Sequence, residues 1–276
     1  MINNLNYFPY KYLTAIFFLF SVSSALGQSE KNYLPTSYWG WADISYKLPS
    51  ESYFFGQLNT RASSFPNNIS TALPLDRMHF MVGYNHKANQ VWNLGASERL
   101  VIENNWLLWY TMAYFRHEGK LGSIDLNKQF GYEWISHQKS SSSNGTRNDY
   151  GRFSGLVSIG KDFNIKGEIF RPEFSYQFFI YHKNETAQDR RIDLTRMRID
   201  FLWKATEQLY IGLFAMRDTQ YNFVLGSTKP VYDEDGNIVT DDNGNPQLQE
   251  IPSRNINSIT PVIGFNLRWE LLHTKG

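Results

Sequence analysis

The sequence predicts an all-β chain, and three observations carry that prediction. Apolar and polar residues alternate with a period of two along most of the chain after residue 27. The alternating stretches are long, roughly 10 to 16 residues, where soluble strands average about 5 to 6 and a tilted bilayer-spanning strand takes about 9 to 11. Aromatic residues make up 16% of the 276 residues, with 17 Tyr, 20 Phe and 8 Trp. Tyr and Trp favour the membrane–water boundary, because their rings are apolar and their tips polar. The prediction is an antiparallel, up-and-down transmembrane β-barrel of about twelve strands, with ten as the runner-up. A soluble sandwich that buries its aromatics and stays in the periplasm is the fallback.

The chain opens on a leader. Lys11 supplies a positive charge, the run 13–22 is apolar, and Ala25-Leu26-Gly27 offers small residues at the two positions a signal peptidase reads. The apolar run is shorter than the about 20 residues a spanning helix needs. Residues 1–27 are therefore read as a signal peptide cleaved before Gln28, and 28–276 as one outer-membrane barrel domain. After Gln28 no window approaches an uninterrupted helical span, and a closed barrel is the other way to satisfy every backbone group in hydrocarbon. There is no cysteine, so stability comes from hydrogen-bonded structure and packing. The net charge of +1 gives no sign of a nucleic-acid partner.

Eleven stretches read as strands, at about 37–48, 53–62, 75–87, 91–102, 105–118, 121–135, 148–161, 165–181, 191–204, 208–222 and 255–270. The sixth shows the pattern best: Asp125, Asn127, Gln129 and Glu133 oppose Ile124, Leu126, Phe130, Tyr132 and Trp134, with Lys128 the exception. In the eighth, Arg171, Glu173, Ser175 and Gln177 oppose Pro172, Phe174, Tyr176 and Phe178. In the ninth, Arg196, Arg198 and Asp200 oppose Met197, Ile199, Phe201 and Trp203. In the last, Ser258, Thr260, Asn266, Arg268 and Glu270 oppose Ile259, Ile263, Phe265, Leu267 and Trp269. The first, fourth and fifth alternate poorly. A barrel turns its apolar face to lipid and keeps the polar face inside. Phe174, Phe178, Met197, Ile199, Phe201, Phe265 and Leu267 are thus expected outside, with Trp134, Trp203 and Trp269 in interfacial belts.

Short links follow Leu48, Lys87, Glu118, Lys161 and Lys204, and longer ones cover 63–74, 135–147, 182–190 and 222–254. Bacterial barrels have short periplasmic turns and long outer loops, which puts the C-terminus in the periplasm. Eleven strands then leave the N-terminus outside. Since bacterial barrels have even strand numbers, the expectation is twelve, or ten if one stretch does not cross.

Gly264-Phe265-Asn266-Leu267-Arg268-Trp269 resembles the C-terminal signature by which bacterial assembly machinery recognises barrels, although Glu270 to Gly276 extend beyond the usual terminal aromatic. The leader ending in Gly-Gln, the early Trp39/Trp41 strand, and the strand ending in Arg61 come first. The Arg152 strand, the Glu173 strand, the Arg196/Arg198 strand and the Gly264 strand follow. Together they resemble an uncharacterised family of Bacteroidota outer-membrane β-barrels. The likeness is one of pattern over most of the mature chain. It implies location and a porin-like fold, and no activity.

The candidate site is a charged ladder lining the lumen: Arg171, Glu173, Arg196, Arg198, Asp200, Arg268 and Glu270. Pairing the eighth and ninth strands with polar faces inward allows a register that sets Glu173 opposite Arg198, Arg171 opposite Asp200 and Ser175 opposite Arg196. Directly opposed unlike charges support a sheet by about 0.2–1 kcal/mol each. Such a ring either selects ions or anionic solutes or fills and stiffens a narrow lumen. The second reading is preferred. His79, Asn85 and His86 read as a further inward polar cluster that fills the lumen.

Other motifs are read conservatively. The segments 233–237 and 241–245 have the oxygen-rich spacing of a cation loop. Read from Asp233 as an EF-hand, however, they place Ile238 where glycine is needed and Gly244 where glutamate is needed. Two Asx/Gly turns around a short hairpin at 237–240 fit better. His117 with Ser123 suggests a lipid hydrolase, but Ser123 lacks the setting of a nucleophile. No residue spacing meets zinc rules, and no phosphate-binding glycine loop is present. Asn68, Asn144 and Asn184 begin glycosylation-type triplets that, in a bacterial context, read as chance.

The function expected is a non-enzymatic outer-membrane barrel without cofactor or metal. It is a structural or partner-binding subunit of an envelope complex, with a largely plugged lumen. A small passive channel and a lipid-modifying hydrolase are the alternatives. Expected partners are outer-membrane lipid and other envelope proteins.

Overall fold

In a computed structural model the chain is described at residues 30–63, 75–103, 106–138, 149–182, 192–233, 235, 237–241 and 243–272. The leader, most of the three long links at 63–74, 135–147 and 182–190, and the triplets at Asn68, Asn144 and Asn184 lie outside the described residues. Every element among the described residues is a strand: β1 (Glu30–Tyr33), β2 (Ser37–Lys47), β3 (Tyr53–Ser63), β4 (Arg77–Lys87), β5 (Trp92–Glu103), β6 (Trp106–Leu121), β7 (Ile124–Gln138), β8 (Tyr150–Gly160), β9 (Phe163–Ile165), β10 (Glu168–Tyr181), β11 (Leu194–Lys204), β12 (Leu209–Val224), β13 (Ser227–Pro230), β14 (Leu248–Ile251) and β15 (Arg254–Leu272).

Eleven of these close a barrel in the order β2, β3, β4, β5, β6, β7, β8, β10, β11, β12, β15. They coincide with the eleven stretches that alternation marks out, and the expected count of about twelve is met to within one strand. Parity is where the structure differs. Up-and-down strands alternate direction, so an odd number leaves the first and last pointing the same way. The seam is accordingly parallel, with Val262 opposite Ser37 and Leu272 opposite Lys47. The amide of Leu34 donates to the carbonyl of Ile259 at 2.8 Å. That bond keeps the sequence offset of the β2–β15 ladder, so β1 prolongs β2 along the same edge. The first strand alternates poorly on paper because Gly40 and Ala42 occupy its outer face. In the fifth, Thr111 and Ala113 do the same.

Five connections gather at one end of the barrel, and all are short. Between β6 and β7 the turn is two residues, and its first residue, Gly122, has φ +63°. Positive φ at the first position is what a tight hairpin matching the strand twist requires. This short-turn end also holds the end of β15. The opposite, loop end holds the start of β2, so both segments flanking the parallel seam run from loop end to short-turn end.

Residues 224–256 belong, with Glu30, to a compact unit separate from the barrel. There β13 pairs with β14, and two isolated bridges continue inward to the tip, Tyr232–Ile238 and Thr240–Pro246.

Candidate functional site: the barrel interior

Period-two alternation sorts the wall into two faces. Outside stand Ile199 (46% exposed), Phe201 (66%), Leu213 (63%), Ile263 (55%) and Phe265 (42%), with Trp134, Trp203 and Trp269 also exposed. Phe174, Phe178, Met197 and Leu267 share that face and are partly covered by neighbours. Inside, Glu133, Asp200 and Asn266 are all 4% exposed or less. The interior is thus charged and the exterior greasy, the reverse of a soluble sandwich.

The ladder residues share the inward face, but the register differs from the expected one by two. Glu173 lies opposite Asp200, Ser175 opposite Arg198, and Gln177 opposite Arg196. A slip of two leaves every side chain on its own face, so alternation does not distinguish the two registers. The ion pairs that Arg171, Arg198 and Arg268 make with Asp125, Asp200 and Glu173 accordingly run along a single strand or between strands that are not neighbours. Arg198 reaches Asp200 on its own strand with two bonds of 2.8 and 2.6 Å. Arg171 donates to Asp125 at 2.9 Å and Asp162 at 3.0 Å. Arg268 reaches Glu173 at 3.5 Å. Glu270 is exposed at the short-turn rim. Of the other expected cluster, His79 and Asn85 are buried inside, while His86 is exposed on the outer face, as the alternation of β4 requires.

The short-turn half is bridged from strand to strand. Asn266 donates to Asp200 at 3.0 Å, and Arg116 donates to Gln129 and, at 2.7 Å, to Tyr53. Asp43 accepts from Gln57 at 2.7 Å and Trp41 at 3.0 Å. The Arg198 guanidinium lies 3.8 Å from the centre of the Phe214 ring. Phe214 belongs to an inward apolar cluster with Trp39, Met216 and Val262. Gly264 makes room for that ring: a Cβ there would come within 2.3 Å of Phe214 and 2.4 Å of the Trp39 carbonyl oxygen. The glycine of the terminal signature therefore has a packing role.

The loop half holds a cavity of about 350 Å³. Five inward arginines line it: Arg61, Arg77, Arg99, Arg152 and Arg196. Glu133 pairs with Arg152 and, at 3.0 Å, with Arg99. Arg77 pairs with Glu103, and Arg196 with Asp218 at 3.4 Å. Arg61 has no ion pair among the described residues. Its Nε donates to Asn59 at 3.1 Å, and its guanidinium stacks 3.7 Å from the Trp39 ring centre. The sequence ladder includes only Arg196 of this set. The missed signal was available: inward arginines recur near the loop end of β3, β4, β5, β8 and β11.

His117 and Ser123 are not brought together as a catalytic pair. His117 packs edge-on against Trp92, 4.9 Å between ring centres, and no hydrogen bond joins it to Ser123 among the described residues. In the unit 224–256, Asp233 and Asp241 behave alike. Asp233 Oδ1 accepts from the amides of Asp235 and Asn237, and Asp241 Oδ1 from those of Asn243 and Asn245. The Asn245 bonds hold the exposed Asp241 carboxyl below its ordinary pKa. These are Asx turns, in which the acid oxygens fold their own loop. Among the described residues no group of three or more His, Asp or Glu is placed to hold a metal ion. Comparison with protein-family models, with curated proteins and with solved structures finds no match.

Proposed function

We propose that this chain, freed of its leader, is an outer-membrane β-barrel that acts as a structural or partner-binding subunit of an envelope complex rather than as an open pore or an enzyme. The observation that supports the reading most is the sidedness of the wall. A contiguous exposed apolar surface of this extent, ringed by tryptophans, marks contact with lipid or protein, and in a closed barrel lipid is the natural solvent. Eleven strands lie between the eight that side chains fill and the sixteen that leave an aqueous channel. Bridging across the short-turn half favours a blocked passage. The terminal signature and the Bacteroidota resemblance agree with this location.

In that setting the loop end of the barrel faces outward, the short-turn end, where β15 ends, faces the periplasm, and the odd strand count puts the start of β2 at the outer face. Membrane fractionation with heat-modifiable gel mobility tests the reading. The expected result is a membrane-bound, heat-modifiable species, and soluble periplasmic material would refute it. A passive channel is the second reading, favoured by the loop-half cavity. Planar-bilayer recording separates the two: the proposal expects no steady conductance, and defined unitary steps would favour the channel.

A further inference from the structure

We infer that the loop-half cavity is a binding site for a small, free oxyanion solute carrying about two negative charges, such as phosphate or a small dicarboxylate. The charge count points there first. Five guanidiniums line the cavity or its floor, and they face three carboxylates, Glu103, Glu133 and Asp218. Two positive charges are left over among the described residues, in a place where a solute of matching charge gains fully from reduced solvent screening. Arg61 is the focus of that excess. Its Nε and its ring face are occupied, which leaves the outer fork of the guanidinium, the part suited to bidentate oxyanion binding, facing the cavity.

A second observation is independent of charge. His79 is 8% exposed, lines the same cavity, and its Nε2 has no hydrogen-bond partner among the described residues. Buried polar atoms are nearly always partnered, and an orphan calls for a missing ligand or solvent. With its proton on Nε2, His79 donates to an oxyanion held by Arg61. The third observation is size. About 350 Å³ lies at the small end of ligand sites, enough for a small solute. Tyr150 and Tyr181, 5.4 Å apart between ring centres, give one side an aromatic wall. All these side chains project into the barrel, so a lipid headgroup packed against the outer wall does not reach them.

The inference deepens the proposed barrel reading by giving its lumen a ligand. The test is calorimetric titration of the purified full-length protein in detergent with inorganic phosphate. Chloride at equal ionic strength is the comparison, and heat-modifiable mobility is recorded on every sample. The expected result is one saturable phosphate site per chain. Losing a hydrogen bond to a charged group costs enough that Arg61→Gln weakens binding by about tenfold or more. Arg116→Gln, which removes the same charge in the short-turn half, leaves it unchanged. Glu103→Gln, which releases Arg77, tightens it. A folded, heat-modifiable barrel with no saturable phosphate site overturns the inference and leaves the barrel reading standing. Equal losses in Arg61→Gln and Arg116→Gln overturn it as well, because they signal diffuse charge attraction. Saturable binding by a protein that is not heat-modifiable sinks the barrel reading alone.

Discussion

The two halves of the barrel interior use the same residue type to opposite ends. In the short-turn half, Arg116, Arg171, Arg198 and Arg268 each have a carboxylate within 4 Å. In the loop half, Arg99 and Arg152 share one glutamate and Arg61 has no acid at all among the described residues. A buried charge with a partner is costly to disturb, because removing one member strands the other. A buried charge without one is a standing cost that folding tolerates, and such a cost is a hint of function. The short-turn half is built as a brace, and the loop half as a receptor.

The sharpest way to break this contrast is a pair of matched substitutions. Arg198→Met leaves Asp200, which is 4% exposed, with the Asn266 amide but no adjacent cation, and is expected to cost about 3 kcal/mol. Arg61→Met strands no acid and is expected to change stability by about 1 kcal/mol or less in either direction. Urea titration of the folded gel species measures both, and equal costs would erase the distinction between brace and receptor. Next in size is a change on the outer wall. Ile199→Arg, at the middle of β11 and 46% exposed, is expected to cost about 2–4 kcal/mol in a bilayer, the range for a cationic side chain on a lipid face at mid-depth. Refolding into vesicles measures it, and a negligible effect would place that face in water.

Gly264→Ala follows, at about 1–3 kcal/mol, because the added methyl meets the Phe214 ring and a backbone oxygen, neither of which yields easily. Pairing it with Phe214→Leu separates overpacking from a backbone effect: the second change is expected to rescue the first. The smallest effect is topological. A protease-sensitive tag placed before Glu30 is expected to be cut on intact cells without loss of stability, since β1 starts at the loop end. Protection of the tag would contradict the orientation drawn from the parallel seam.

Much of the barrel wall is legible in the sequence, because a strand with one wet and one greasy face writes its geometry into every second residue. In β11 the exposed Ile199, Phe201 and Trp203 alternate with the covered Arg198, Asp200 and Leu202, as the sequence pattern requires. Three things stay hidden. The register between β10 and β11 is ambiguous by two, since that slip preserves facing, and opposite charges pair along a strand or between distant strands as well as directly. The parallel seam is hidden because the first and last strands share no turn. Nothing local announces their meeting, and the general preference for even counts pulls the expectation to twelve. The arginine cavity is hidden because nothing in the sequence shows that β8 and β11 close round to face β3, β4 and β5. Arg61 sits beside Trp39 through the β2–β3 hairpin itself, but only closure of the sheet brings Arg196 to the same tryptophan ring.

The central claim is the sidedness of the wall, and the absence of cysteine lets it be measured residue by residue. Single cysteines at positions 197–203 of β11, spin-labelled in lipid vesicles, report oxygen against water-soluble relaxer at each site. Sidedness of this kind predicts oxygen-accessible labels at 197, 199, 201 and 203 and lipid-shielded labels at 198, 200 and 202, with a period of two. Uniform contact with the water-soluble relaxer, or the inverse phase, would contradict it.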